Sequence, residues 1–95
     1  MKFHPNALQE WRNLTIQNRQ LLKKNLSERL DNPHIPSARL SGGYNLYKIK
    51  FKKPPIRLTY QVDDSVFIVI ALSIGMRDGD VYKKMIERYS IKQSK

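Results

Sequence analysis

Two stretches in the middle of the chain alternate apolar and polar residues with the period of a β-strand. Residues 47–52 read Tyr-Lys-Ile-Lys-Phe-Lys, and residues 56–62 read Ile-Arg-Leu-Thr-Tyr-Gln-Val. Successive side chains of a strand point to opposite faces, so each stretch has one apolar and one polar face. Pairing the two stretches as an antiparallel hairpin would collect four cationic side chains on one open face. They are Lys48, Lys50, Lys52 and Arg57.

Helical patterns precede this hairpin. Pro5 suits the first turn of a helix. The apolar stripe of that helix comprises Ala7, Leu8, Trp11 and Leu14. Thr15 is a suitable N-cap for a second helix, which the prolines in residues 32–36 would end because proline lacks an amide donor. The side chains expected to point inward from this second helix are Ile16, Leu22, Leu26 and Leu30.

The remaining elements follow the hairpin strands. Residues 66–72 read Val-Phe-Ile-Val-Ile-Ala-Leu and are apolar on both faces, which predicts a central strand of the sheet. It is joined to the strand before it by a hairpin-type turn over residues 63–65. Asp78-Gly79-Asp80 then caps a last helix that runs to about Ile91.

This order of elements predicts one α+β domain over residues 1–95. It is a small antiparallel sheet with two N-terminal helices packed on one face and a C-terminal helix. The N-terminal helices are expected to cover the sheet face that carries Tyr47, Ile49, Leu58 and Tyr60. The strand ending near Ser73 would deliver Arg77 to the end of the sheet, close to the cationic face.

The charge balance narrows the possible partners. Lysine and arginine number 18 against 8 acidic residues, giving a net charge of +10, which favours polyanionic partners. The absence of cysteine excludes disulfide and thiolate chemistry and fits a reducing cytosol. No apolar run approaches the length of a membrane span and no signal core is present at the N-terminus, so we expect a soluble cytoplasmic protein without a membrane partner.

The cationic face predicts a phosphate-binding surface, because like charges side by side on a sheet are unfavourable unless an anion lies on them. The residues alone also allow an ordinary solvated strand face, which exposed lysines usually form. Neither a metal nor another cofactor is expected. Four carboxylates fit turns and helix caps better than metal sites: Asp63, Asp64, Asp78 and Asp80. His4 and His34 have no carboxylate at a useful spacing and are assigned no chemistry.

An ordered set of motifs runs along nearly the whole chain. It comprises Ala7–Arg12, Leu40–Gly43, Tyr47–Lys50, Arg57–Val62, Ser73–Arg77 and Val81-Tyr82. This set resembles the RelE group of the RelE/ParE superfamily of bacterial toxins. The resemblance implies a RelE-like fold and ribosome-dependent cleavage of mRNA in the A site of the 70S ribosome. It also implies a cognate antitoxin as partner, with operator DNA contacted mainly through the antitoxin.

A metal-independent ribonuclease can use the 2′-hydroxyl of its own substrate as nucleophile. The protein must then supply a base for that hydroxyl, an acid for the leaving 5′-oxygen and cations for the charge on the phosphorane. The catalytic residues that the resemblance and the cationic face together predict are Lys48, Lys50, Arg57, Arg77 and Tyr82. Further RNA contacts are predicted at Arg39, Ser41, Lys52 and Lys53. Which lysine is base and which is acid stays open.

Tyr82 has a competing interpretation as a core residue. Tyr82, Met85, Ile86 and Tyr89 follow helical spacing, and such stripes usually belong to a core. Compared with familiar RelE members, Ser41 stands where an arginine is common, and the spacing from Arg77 to Tyr82 is one residue shorter.

Two other functions also remain open. A ParE-like inhibitor of DNA gyrase would use the same scaffold, although that branch generally lacks this lysine and tyrosine set. A non-catalytic basic nucleic-acid-binding module fits the composition. It lacks a helix-turn-helix or an aromatic RNA-stacking signature.

Overall fold

Short connections join the helices and strands of the chain. The computed structural model describes residues 1–41, 43–77 and 79–93, with side chains described through residue 89. In chain order the elements are β1 (Lys2–Phe3), α1 (Pro5–Arg12), α2 (Ile16–Asp31), β2 (Arg39–Leu40), β3 (Leu46–Lys50), β4 (Ile56–Asp63), β5 (Ile68–Met76) and α3 (Val81–Gln93). Asp78, expected to help cap α3, lies outside the described residues.

The five strands form one sheet in the order β1-β5-β4-β3-β2. All neighbouring pairs are antiparallel except β1 and β5, which run parallel, so the sheet is mixed. The predicted α+β class is confirmed. The apolar strand β5 has a neighbour on each side, as its two apolar faces predicted.

The first two helices cover one face of the sheet. Leu22 and Leu26 of α2 are buried against the apolar side chains of the hairpin strands, and Trp11 of α1 packs at the edge of this cluster. The buried sheet residues include the four expected on this face, namely Tyr47, Ile49, Leu58 and Tyr60. Thr15 caps α2 as predicted, because its Oγ1 accepts the Asn18 amide at 3.1 Å.

Two expectations about buried apolar residues are wrong. Ile16 and Leu30 of α2 are 65% and 46% exposed, so α2 buries a narrower stripe than its sequence indicated. Val66 and Phe67 precede β5 instead of opening it, and Phe67 is 92% exposed with φ 57°. Backbone in this left-handed region is strained for a bulky residue and belongs here to the turn before β5. The apolar side chain of Phe67 had instead indicated a strand residue.

One edge of the sheet is completed by a side chain. β2 pairs only with Leu46 and Tyr47 of β3, which leaves the Lys48 carbonyl beyond its end. The Arg29 guanidinium of α2 donates to that carbonyl at 2.9 Å and to the Tyr60 hydroxyl at 3.0 Å. Tyr60 in turn donates to the Pro33 carbonyl at 2.7 Å, so α2 and β3 are tied together.

Candidate active site

The cationic residues of β3 and β4 share one face of the sheet. Lys48 lies opposite Thr59, and Lys50 lies opposite Arg57. Directly opposed residues of an antiparallel pair project to the same side. Ile49 is buried on the other side, among the residues covered by α2. The prediction that Lys48, Lys50 and Arg57 share a face is therefore confirmed.

This face is not open along its length, because α3 packs across it. Thr59 and Ser73 are completely buried beneath the helix. Their hydroxyls are hydrogen-bonded to each other, and Ser73 Oγ donates to the Val81 carbonyl at 2.8 Å. The expectation of an open face is thus wrong: the cationic residues border a groove between the hairpin and α3. The helix that covers this face, α3, is distant in sequence from β3, so strand alternation alone could not indicate it.

Gly75 allows the first turn of α3 to approach the sheet. It lies opposite Arg57 in the β4–β5 pairing. A Cβ atom at this position would lie 2.8 Å from Val81 Cγ2, closer than such atoms normally approach. The missing side chain therefore brings the start of α3 beside Arg57.

Tyr82 faces the groove, and its hydroxyl accepts a hydrogen bond from Arg57 Nη1 at 3.2 Å. Among the described side chains of α3, the buried ones are Val81, Met85 and Arg88, a stripe shifted by one residue from the expected one. Tyr82 is therefore half-buried and does not belong to the buried stripe. The shorter spacing from Arg77 does not prevent it from reaching Arg57.

A groove of about 340 Å³ runs beside Tyr82. Its lining residues are Leu40, Ser41, Lys48, Tyr82, Met85 and Ile86. The structure thus brings together two predicted catalytic residues and one predicted RNA contact. Arg57 Nε is buried and has no hydrogen-bond partner among the described residues, so this guanidinium retains one donor that is not used within the fold.

Arg77 lies at the same end of the sheet as the Lys50–Arg57 pair. Its amide donates to the Pro55 carbonyl at 2.7 Å, directly after β5 ends. Lys52 and Lys53 are exposed in the connection between β3 and β4, because β3 ends at Lys50. The alternation expected through residue 52 is therefore shorter than the sequence indicated.

Arg39 does not join the groove. It pairs with Tyr47, whose ring is buried on the α2 side, and the pairing places Arg39 on that side as well. Leu40, its neighbour, lines the groove instead. An RNA strand bound in this groove would reach Arg39 only if it continued past the groove to the opposite face of the sheet.

Sequence reasoning missed a buried ionic cluster that anchors α3. Glu10 of α1 accepts from both Nη atoms of Arg88 at 3.0 Å and from Lys84 Nζ at 3.3 Å. It also accepts the Ile74 amide at 3.0 Å, while Arg88 donates to the Leu72 carbonyl at 2.6 Å. These backbone atoms of β5 lie beyond the two residues paired with β1. The cluster completes this second edge of the sheet.

The ionisation of Glu10 reflects two opposing effects. Burial acts to raise the pKa of Glu10, but hydrogen bonds from Arg88 and the Ile74 amide outweigh it, so the pKa lies below the ordinary glutamate value. The same carboxylate raises the pKa of Lys84. No local sequence pattern joins Glu10 to Arg88, because their pairing depends on how α1 and α3 meet at the β5 edge.

Both histidines have structural partners. His4 caps α1, because its Nδ1 accepts the Asn6 amide at 3.1 Å, and burial together with the nearby Arg88 lowers its pKa. His34 Nε2 lies 3.0 Å from Asp64 Oδ1. This contact joins residues 30 positions apart, so the sequence spacing around His34 did not indicate it.

Residues 1–41, 43–77 and 79–93 contain no group of three or more His, Cys, Asp or Glu side chains arranged to hold a metal ion. No helix within the same ranges combines the length and apolarity needed to cross a membrane.

Comparisons with known proteins agree with this architecture. Residues 1–81 match the family described as the ParE toxin of the type II toxin-antitoxin system, parDE. Over 89 residues, which are 93% of this chain and 94% of each relative, the sequence is 43% identical to a RelE-like toxin protein of Escherichia coli. Over the same share it is 39% identical to the mRNA interferase toxin RelE of Escherichia coli.

Solved structures show the same relationship. The fold is similar to an E. coli RelE variant in the free state, with a TM-score of 0.84 and 39% identity over 92% of this chain and 93% of that chain. It is also similar to a chain of the intact E. coli RelBE toxin–antitoxin complex, with a TM-score of 0.79 and 40% identity over 82% of this chain and 95% of that chain. The protein therefore belongs to the RelE/ParE family of toxins of type II toxin–antitoxin systems.

Proposed function

We propose that this protein is the toxin of a type II toxin–antitoxin system and acts in the cytoplasm as a ribosome-dependent endoribonuclease. The supporting observation is the groove that places Lys48 and Tyr82 together, with Arg57 bonded to Tyr82 at 3.2 Å. Relatives about 40% identical over 93% of the chain carry the name RelE, one of them as an mRNA interferase toxin. The substrate would be messenger RNA held in the ribosomal A site.

The reaction would use the 2′-hydroxyl of the substrate. That oxygen loses its proton to a base and attacks the adjacent phosphorus, while an acid protonates the departing 5′-oxygen. The products are a 2′,3′-cyclic phosphate and a 5′-hydroxyl, with no added water. Lys48 and Lys50 are the proposed base and acid, in an order that the experiment below would assign.

The arginines would stabilise the charge that develops on the phosphorane. Guanidinium groups stay charged at any physiological pH and match the geometry of phosphate oxygens. Arg57 is half-buried, and its guanidinium reaches the Tyr82 hydroxyl beside the groove, which suits it to a phosphate oxygen bound there. Arg77 lies at the same end of the sheet. Tyr82 would orient its hydroxyl, fixed by Arg57, toward the reacting group.

Dependence on the ribosome follows from what the groove lacks. Among the described residues, its lining offers one aromatic ring, Tyr82, and no pair of rings between which successive bases could stack. A flexible RNA strand would bind in many poses, so the positioning that makes cleavage fast would come from the ribosome.

Single-turnover cleavage of mRNA on programmed 70S ribosomes tests this function. Lys48→Ala and Lys50→Ala should each slow cleavage by about 10²–10⁴-fold, as loss of an acid or base typically does. Lys24→Ala, an exposed lysine of α2, is the matched control. Full activity of both the Lys48→Ala and the Lys50→Ala variant would overturn the catalytic assignment. Equal cleavage of naked RNA would overturn ribosome dependence.

Tyr82→Phe separates two roles for this residue. The variant keeps the ring and removes the hydroxyl that Arg57 contacts. If the hydroxyl acts in catalysis, the rate falls while thermal stability is preserved. If only the ring matters, Tyr82→Phe retains activity and Tyr82→Ala loses it.

The cognate antitoxin is the proposed protein partner. The related E. coli toxin is found in a RelBE toxin–antitoxin complex. Operator DNA would be bound mainly through the antitoxin. Co-expression with the antitoxin should suppress cleavage, and growth arrest that persists despite complex formation would contradict this role.

One alternative has its own support. The matching family is described by the ParE toxin, and ParE-like action on DNA gyrase would operate by binding instead of cleavage. A supercoiling assay with purified gyrase distinguishes the two: inhibition without codon-phased mRNA cuts would favour the gyrase target.

A further inference from the structure

Glu10 lies outside the groove, on a helix that packs against the opposite face of the sheet, yet its carboxylate contacts two side chains of α3. It reaches around the β5 edge to Lys84 and Arg88. Tyr82 lies only two residues before Lys84. A contact so close in the helix bears directly on where the tyrosine hydroxyl is placed.

We propose that Glu10 is a positioning residue for the cleavage reaction, holding α3 in the orientation that keeps the Tyr82 hydroxyl beside Arg57. This inference rests on the proposed function for its kinetic consequence. Its structural half concerns the attachment of α3 and can be measured independently of activity.

The geometry of a helix explains why this attachment matters. Each residue advances about 100° around the axis, so Lys84 and Arg88 lie roughly 200° and 240° from Tyr82. They therefore project from the side of α3 away from the tyrosine. Two contacts one turn apart, held by a single carboxylate, oppose both rotation and sliding of the helix. Either motion would move Tyr82 away from Arg57.

The other contacts of α3 leave this motion less restricted. The Ser73 hydroxyl binds the Val81 carbonyl at the first turn. The Tyr89 hydroxyl accepts the Tyr44 amide at 2.8 Å near the other end of the described side chains. These contacts lie at Val81 and Tyr89, and Arg88 also donates to the Leu72 carbonyl at 2.6 Å. Between them, Glu10 supplies the ionic contacts to the described side chains of α3 from another element.

Glu10→Gln is the sharpest test because it changes charge and little else. The amide oxygen can still accept the Ile74 N–H, while the ion pairs with Lys84 and Arg88 are lost. We expect the single-turnover rate on programmed ribosomes to fall about tenfold, within the roughly 10²-fold that a 1 Å misplacement can cost. The ribosome concentration for half-maximal rate should not change, because Lys48 and Lys50 stay on the sheet.

A double-mutant cycle with Tyr82→Phe separates positioning from general destabilisation. If Glu10 acts through the tyrosine hydroxyl, Glu10→Gln has no further effect once that hydroxyl is gone. Equal rate losses in both backgrounds would overturn the inference. Thr15→Ala is the matched control: loss of this cap should lower the melting temperature by about 4–8 °C without slowing cleavage.

Amide hydrogen exchange of α3 provides the readout that does not require activity. Protection of residues 84–88 should decrease in Glu10→Gln and remain unchanged in Thr15→Ala. Equal protection in wild-type and Glu10→Gln proteins would overturn the inference, even if wild-type protein cleaved nothing and the proposed function itself failed. Arg88→Lys keeps the charge but loses the bidentate contact, and it serves both measurements if Glu10→Gln does not fold.

Discussion

The two edges of the sheet are completed by different chemistry. Beside β3, the Arg29 guanidinium binds two neutral oxygens, the Lys48 carbonyl and the Tyr60 hydroxyl. Beside β5, Glu10 and Arg88 form an ion pair that also takes up strand backbone atoms. The first edge holds a catalytic candidate through its own backbone. The second edge holds Tyr82 only indirectly, through contacts to α3. The strand side of the groove, at Lys48, is therefore fixed more directly than the helix side, at Tyr82.

The largest loss of stability is expected when Arg88, the arginine of the β5 edge, is removed. Arg88→Met would leave the Glu10 carboxylate with fewer partners and the Leu72 carbonyl without its donor. Breaking a buried ion pair in this way should lower the free energy of unfolding by about 3–5 kcal/mol. Urea denaturation measures it, with Arg12→Met, an exposed arginine of α1, as control. A loss no greater than the control's would contradict the importance of this edge.

Arg29→Met should have a smaller effect at the other edge. It removes hydrogen bonds from a charged donor to neutral acceptors, which typically contribute about 1.5–3 kcal/mol. The buried methylenes of methionine would retain part of the packing against Tyr60. If urea denaturation shows Arg29→Met to be as destabilising as Arg88→Met, the proposed contrast between the edges is wrong.

Acid should weaken one edge selectively. The folded pKa of Glu10 is depressed, so its contribution to stability is present above the ordinary glutamate pKa and is lost as pH falls through the lower, folded value. The stability difference between wild-type and Glu10→Gln proteins should therefore shrink in acid. Arg29→Met keeps Glu10 and its partners, so its unfolding free energy should run parallel to that of wild type. Unfolding free energies from pH 7 to pH 2 test both expectations.

The smallest effect is expected at the exposed arm of the cluster. Lys84 is more than one-third exposed and contacts both Glu10 and Asp80 at 3.3 Å. Water screens such a pair, so Lys84→Gln should cost less than about 1 kcal/mol of stability. A melting-temperature shift as large as that of Arg88→Met would show that Lys84, and not Arg88, makes the principal contact of Glu10.

Local patterns predicted the parts of the site that depend on neighbouring residues. Strand alternation is a property of consecutive residues, so it correctly placed Lys48, Lys50 and Arg57 on one face. The α2 cap at Thr15 likewise depends on a contact three residues away. The family resemblance, not the periodicity, singled out Tyr82 as a candidate.

Contacts between distant segments could not be read in the same way. Glu10 and Arg88 are 78 residues apart, and no local pattern indicates that two helices on opposite faces would meet at an edge. The placement of α3 over the cationic face also depends on tertiary packing. Ile16 and Leu30 are exposed for a related reason: the sheet is small, and its apolar surface is already covered by other residues of α1 and α2.

Gly75 sets how closely the first turn of α3 can approach β5. Since a Cβ atom there would lie 2.8 Å from Val81 Cγ2, even alanine would wedge the first turn of α3 away from the strand. The separation between Arg57 on the strand and Tyr82 on the helix thus depends on a residue that forms a hydrogen bond with neither side chain. Under the proposed function, a substitution at this one position would alter how Tyr82 meets Arg57 without replacing either residue.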